Sequence, residues 1–229
     1  MANLLLIRHG QASFGAADYD ELSPIGEEQS RCLGHWFRRT GQLPELIATG
    51  SLRRQVRTSA LCVETAGVGA PTLTLAGLDE MNHEEALARH RPDLAAPGAL
   101  IAELARSDDP HRGFQRLYIA AVTRWTSGEF DSDYARSWRS FRADVMEALA
   151  ALAAHEARTI WAFTSGGPIG VIVNALVGAP MEQAFALAWP LVNTSITRVS
   201  VGAKRSHLVG YNAWPHLEGS GESRLITHR

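Results

Sequence analysis

The sequence has little cysteine, no dominant charge of either sign and no long apolar run. Only Cys32 and Cys62 occur among its 229 residues. They form no CxxC pair, so neither a disulfide framework nor a zinc site is expected. Both fall in helix-like stretches, where a free thiol acts as a small buried hydrophobe. The formal net charge is -2, which exerts no general pull toward nucleic acid or anionic lipid. Any anion site must come from arginines placed locally. No stretch approaches the roughly 20 apolar residues of a membrane helix. The N-terminal apolar run is short and Arg8 follows it directly, so it does not read as a signal peptide. A reducing cytoplasm, with no nucleic acid and no membrane as partners, is the resulting expectation.

Several catalytic signatures are also missing. His83-Glu84 begins an HExxH pattern, but Leu87 stands where its second histidine should be, so no zincin site forms. Ser165 lacks the glycine two residues earlier that a nucleophile elbow needs, since Phe163 is there. The glycines of GVGAP follow a helix rather than a strand and make no dinucleotide loop. Neither a metal nor an organic cofactor is expected.

What is present is an ordinary globular composition. Hydrophobic residues make up 45% and charged residues 20%, enough to bury a core. The length fits one large domain, or one domain with a sizeable insertion. Residues 3–8 read as a buried strand stopped by His-Gly. Ser23 and Pro24 start a helix to about Thr40, as N-cap and first residue. Strands are expected at 45–49, 71–75 and 159–163, and helices at 52–65, 136–154 and 168–176, the last begun by Pro168. A final β pair spans 194–201 and 206–211. Residues 81–130 are broken by PDLAAPGAL, SDDPHRG and TSGEFDSD. They read as a helical cap inserted into a single domain over 1–229. The last residues, from about Gly219, are polar and expected to fray.

Strands alternating with helices predict an α/β three-layer sandwich, with a mostly parallel central sheet and helices on both faces. Ligands of such sheets bind at the carboxyl ends of the strands. Three groups of unusual residues fall there: Arg8-His9-Gly10, the Arg53-Arg54 pair after Gly50, and Ser165-Gly166-Gly167. Histidine can attack phosphorus through a ring nitrogen and later release the phosphoryl group to water. Gly10 is expected to turn the backbone tightly and leave room for an anion. Arginine's planar, permanently charged fork matches phosphate oxygens. A carboxyl group beside a bound anion suits protonation of a leaving oxygen; Glu80, Glu84 and Glu85 compete for that role.

Taken together, these stretches resemble the histidine phosphatase superfamily, the phosphoglycerate mutase-like clan. Arg8-His9-Gly10 matches its N-terminal signature. Leu22 to Gln29 is similar to its L-[ST]-x-x-G-x-x-Q helix start. Ser51 to Thr58 is similar to its S-x-L-x-R-A-x-x-T segment, with Arg54 on the phosphate-binding arginine. Leu78-Asp79-Glu80 resembles the L-x-E that carries the acid. Asn193 to Ile196 and Asn212 to Leu217 resemble its N-x-S-I and N-x-x-H-L stretches. The resemblance implies a nucleophile at His9, an acid at Glu80, and phosphate binding by Arg8, Arg54, Ser165 and the Gly166 amide. Two positions depart from it. Ser165 stands where the family carries a second histidine, and Glu84 where it often has glycine.

The expected activity is therefore a phosphatase acting on a small phosphomonoester through a phosphohistidine at His9. Serine at position 165 donates one neutral hydrogen bond in place of a charged one, so low activity is part of the expectation. The alternative is a binding protein for a phospho-ligand or inorganic phosphate with little catalysis. A phosphoglycerate mutase, which needs the second histidine, comes third. In the cap, Arg89, His90, Arg91, His111, Arg112 and Trp125 could read a second anionic group or simply be surface. The late strand pair offers an edge for a homodimer.

Overall fold

The computed structural model describes residues 1–13, 20–202, 205–219 and 221–228, with the side chains of His111 and Glu182 outside the description. In chain order the main elements are β1 Ala2–Arg8, α1 Pro24–Thr40, β2 Leu46–Thr49, α2 Arg53–Ala66, β3 Thr72–Thr74, α3 His83–His90, α4 Ala99–Leu104, α5 Pro110–Thr126, α6 Trp138–Ala154, β4 Thr159–Thr164, α7 Gly166–Val177, α8 Ala184–Ala188, β5 Ile196–Val201, β6 His207–Ala213 and α9 Pro215–Glu218. The chain divides into two compact units. One holds Met1–Glu80 with Asp144–Arg229, and the other Met81–Ala143. The second unit extends past the expected boundary at residue 130.

The first unit is built on one six-stranded sheet of order β3-β2-β4-β1-β5-β6. β2, β3, β4 and β1 pair in parallel. β5 runs antiparallel to β1 and to β6, so only β5 opposes the rest. β1 is central, and Leu4 to Ile7 are fully buried, which explains its unbroken apolar run. Alternate residues serve opposite faces. Leu5, Ile7, Ile47, Trp161, Phe163 and Ile196 join Leu33, Phe37, Cys62 and Ala66 of α1 and α2 in one core. Phe37 stacks on Trp161 with ring centroids 4.1 Å apart. Leu4, Leu6, Ile160 and Ala162 point the other way and are equally buried. α7, apolar on nearly every side and buried from Gly166 to Asn174, belongs inside a core rather than on a surface.

Local signals account for the element ends. Ser23 accepts from the Gly26 amide at 3.1 Å, Pro24 opens α1, and Gly41 closes it at φ 67. α7 begins two residues before its expected start. Pro168 is tolerated inside the first turn because amides there have no intrahelical acceptor.

The C-terminal segment departs from the expectation of fraying. Leu225 is fully buried against Val192 and Leu217. Gln29 donates to the Leu225 carbonyl at 2.7 Å and to Thr227 Oγ1 at 2.8 Å. The Asn193 amide donates to the Thr227 carbonyl at 2.8 Å. A short 3-10 turn over Ser223–Leu225 delivers these groups. The sequence looks polar there because one leucine carries the burial.

The second unit has its own aromatic core. Trp125 meets Trp138 and Phe141 edge-on, with centroids 5.2 and 5.3 Å away, and its Nε1 donates to the Arg136 carbonyl at 3.0 Å. Trp125 is thus a packing residue rather than a ligand reader. Arg91 forms a two-bond pair with Asp93 at 2.8 and 2.6 Å. Arg112 lies 3.4 Å from Asp109, and Arg89 lies 3.8 Å from Glu85. His111 belongs to the same expected set, and its side chain lies outside the described residues.

Candidate active site

His9 leaves β1 at its carboxyl end, and its backbone is held by three neighbours. Its amide donates to the Thr164 carbonyl at 2.9 Å. Its carbonyl accepts from Asn193 Nδ2 at 3.1 Å and lies 3.4 Å from the Thr194 amide. Thr58 holds the next residue, accepting from the Gly10 amide at 2.9 Å. The imidazole is 5% exposed, so few competing water contacts surround it.

The ring's tautomer follows from its partners. Nδ1 lies 2.7 Å from the Gly10 carbonyl. A carbonyl only accepts, so Nδ1 carries the proton and Nε2 the lone pair. The second contact agrees: Arg54 Nε donates to His9 Nε2 at 3.2 Å. Burial, then the charges of Arg54 and Arg8, hold the imidazole pKa well below its ordinary value, with the Gly10 bond opposing them. His9 is therefore neutral at neutral pH and presents a lone pair beside a guanidinium.

Gly10 has a different role from the one expected of it. Its φ is not positive, so no left-handed turn needs it. A Cβ there would stand 2.5 Å from the Gly26 carbonyl oxygen. The missing side chain lets β1's exit pass against the first turn of α1.

Arg54 is itself positioned. Its Nη1 pairs with Asp20 Oδ1 at 2.6 Å, while Asp20 Oδ2 accepts from the Arg53 amide at 2.8 Å. Asp20 thus caps α2 from outside, since Leu52 at the N-cap position offers no side-chain bond. Asp20 went unnoticed in the sequence because its partners lie 33 and 34 residues away. Arg8 donates to the backbone carbonyls of Leu191 and His228.

Ser165 follows β4, and the parallel pairing of Arg8 with Thr164 places it beside His9. It is fully buried and occupies the N-cap position of α7, yet its side chain makes no capping bond. Glu80 supplies that bond instead: its Oε2 accepts from the Gly167 amide at 3.0 Å. The Gly167 amide, in the first turn of α7, has no intrahelical acceptor and finds one there. Asp79, the preceding residue, accepts from the Ser51 amide and hydroxyl, both at 2.6 Å. Of the rival acids, Glu85 accepts from the Ala135 amide at 3.0 Å within the second unit. Glu84 is exposed on α3.

His9, Arg54, Ser165, Gly166 and Glu80 all belong to the first unit, at the carboxyl ends of β1, β2 and β4 and the N-terminus of α7. Among the described residues, no group of three or more His, Cys, Asp or Glu side chains is placed to hold a metal ion. None of the described helices is long and apolar enough to cross a membrane.

The parallel strands of this α/β sheet deliver a histidine and an arginine to one end, where the sequence resemblance places a phosphate site. The family model of the histidine phosphatase superfamily (branch 1) matches residues 4–213, and the chain belongs to that superfamily. It is 36% identical over 75 residues to a 2,3-bisphosphoglycerate-dependent phosphoglycerate mutase of Thermobifida fusca. That match spans 30% of this chain and 30% of the mutase. Solved structures share the fold over nearly the whole chain. A mycobacterial glucosyl-3-phosphoglycerate phosphatase has a TM-score of 0.59 at 23% identity, covering 93% of this chain and 99% of its own. A phosphoserine phosphatase of Entamoeba histolytica has a TM-score of 0.60 at 20% identity, covering 95% and 100%. At those identities the likeness speaks for the fold alone.

Proposed function

We propose that the chain is a phosphatase that removes the phosphoryl group of a small phosphomonoester through a phosphohistidine at His9. The observation that carries this reading is the Nε2 lone pair of a buried, neutral imidazole, fixed by Gly10 and facing Arg54. Nε2 attacks phosphorus in line, and the bond from phosphorus to the leaving oxygen breaks. Glu80 gives a proton to that oxygen as it leaves. Water then attacks phosphorus and returns a proton to Glu80. The P–N bond breaks and inorganic phosphate departs. Arg54 Nε, which now rests on the lone pair, takes a phosphoryl oxygen as its acceptor instead. Arg8 adds positive charge nearby, while the Ser165 hydroxyl and the Gly166 amide at the start of α7 add donors. The phosphatases among the structural neighbours are consistent with this chemistry.

The test is to incubate the protein with labelled p-nitrophenyl phosphate and quench in base. Label that is stable to base, labile to acid and absent from His9→Ala is the expected result. Because burial keeps the imidazole neutral, kcat/KM should show no acid limb at His9's ordinary pKa. Absence of both label and turnover overturns the reading. Ser165 favours a second one, a phosphate-binding protein with little turnover. In that case phosphate binds, Arg54→Ala abolishes binding, and the wild type stays inert.

A further inference from the structure

Gln55 is a buried polar residue that the proposed reaction leaves without a task. It lies on α2, directly after Arg54, and is fully buried. Its Nε2 donates to the Leu78 carbonyl and to Ser165 Oγ, each at 2.8 Å. Its Oε1 is buried and has no hydrogen-bond partner among the described residues. A Cβ at Gly50 would stand 2.0 Å from that oxygen, so the glycine before the α2 turn is what admits this amide. A buried acceptor left unmet is destabilising, and leucine or methionine at position 55 would avoid that.

The amide's orientation is determined by chemistry. The Leu78 carbonyl can only accept, so the atom facing it must be the nitrogen. The same nitrogen then faces Ser165 Oγ, which must accept. Its hydroxyl hydrogen is thereby turned away from Gln55. The hydroxyl makes no capping bond to α7, and Glu80 holds the Gly167 amide in its stead. Thr164 Oγ1 donates to the same Leu78 carbonyl at 2.6 Å. The Leu78 carbonyl, two residues before Glu80, is thus tied at once to the end of β4 and to Gln55.

The geometry points to Gln55 as the positioning residue that aims the Ser165 hydroxyl proton at a bound phosphoryl oxygen. A serine hydroxyl rotates freely, and a rotor that must be frozen in the transition state loses part of its value as a donor. An amide that can only donate to it takes the orientation facing residue 55 away beforehand. This is how a site with serine beside His9 keeps an oriented donor there. The inference rests on the phosphohistidine reading for its kinetic form, but its geometry requires only that a phosphoryl oxygen binds at Ser165.

A double-mutant cycle tests it. Gln55→Met keeps length and volume but cannot donate. It should lower kcat for p-nitrophenyl phosphate about tenfold, while KM stays within about twofold. Ser165→Ala should lower kcat about 100- to 1000-fold. The double variant should be no slower than Ser165→Ala alone, because Gln55 acts only through that hydroxyl. Losses that multiply, or a Gln55→Met enzyme within twofold of wild type, overturn the proposal. Should Gln55→Met fail to fold, judged by its melting transition, Gln55→Glu is read instead. Its carboxylate accepts, so it turns the hydroxyl proton back toward residue 55 and should match the Ser165→Ala loss. If the wild type forms no phosphohistidine, the phosphatase reading fails and the same cycle is read on orthovanadate affinity. Coupled losses there still support Gln55's role, and multiplying losses reject it.

Discussion

A Cβ at Gly10, 2.5 Å from the Gly26 carbonyl oxygen, has backbone on the other side and nothing flexible to push aside. Gly10→Ala should therefore destabilise the fold by about 1–3 kcal/mol, the usual range for overpacking, and should move His9 with it. A urea melt reads the first effect. Loss of His9 labelling in protein that is still folded reads the second. This residue shows what local sequence reasoning can and cannot reach. That a glycine belongs after His9 is legible from the tripeptide. That it faces α1 is not, since the partner backbone lies 16 residues on. Asp20 and Gln55 are harder still. Each acts on groups far away in the chain, Asp20 as a cap for α2 and Gln55 as a donor to Ser165, 110 residues later. Periodicity and spacing see neighbours, whereas these contacts are made by folding.

Elements were legible where a cap or a fully buried strand marked them. α1 runs between the cap and glycine that its sequence advertises. The segment after α9 had no such mark, since its burial depends on Leu225 and its anchoring on polar pairs. Thr227 Oγ1 donates to Asn193 Oδ1 at 2.8 Å, and Asn193 in turn holds the His9 carbonyl. The His228 carbonyl accepts from Arg8 at 3.4 Å. A polar segment thus supports both members of the Arg-His pair from behind. Leu225→Ala removes its apolar anchor. It should cost about 2–5 kcal/mol of unfolding free energy, and kcat should fall in the protein that remains folded. A variant that melts as wild type would show that the polar pairs alone hold the segment. Wild-type kcat in a destabilised variant would show that the segment does not support the site.

At the scale of the molecule, acid acts on the imidazoles that the fold keeps out of water. His216 lies between Thr194 and the ring of Trp36, whose centroid is 6.4 Å away. The Thr194 hydroxyl donates to the Asn193 carbonyl at 2.6 Å, so it accepts from His216 Nε2, 2.9 Å away. Nδ1 is buried with no partner among the described residues. Burial takes the His216 pKa down from 6.5 to about 3, and His9 is lowered too. Between the ordinary pKa and the lowered one, the unfolded chain binds a proton that the folded chain refuses. The His216 contribution is therefore complete above about pH 6.5 and is lost as pH falls toward 3, with a slope of about 1.4 kcal/mol per pH unit, and His9 acts in the same direction. His216→Gln keeps a nitrogen donor for Thr194 but cannot titrate. Urea melts at pH 7.5, 6 and 5 should show a shallower acid slope in this variant, by about one proton. At pH 7.5 it should carry only the modest penalty of an imperfect fit. An unchanged slope would place the acid sensitivity on His9 and the carboxylates. The slope of a His9→Gln variant then measures the contribution of the nucleophile itself. A loss of one proton's slope there would show that the fold and the chemistry draw on the same neutral imidazole.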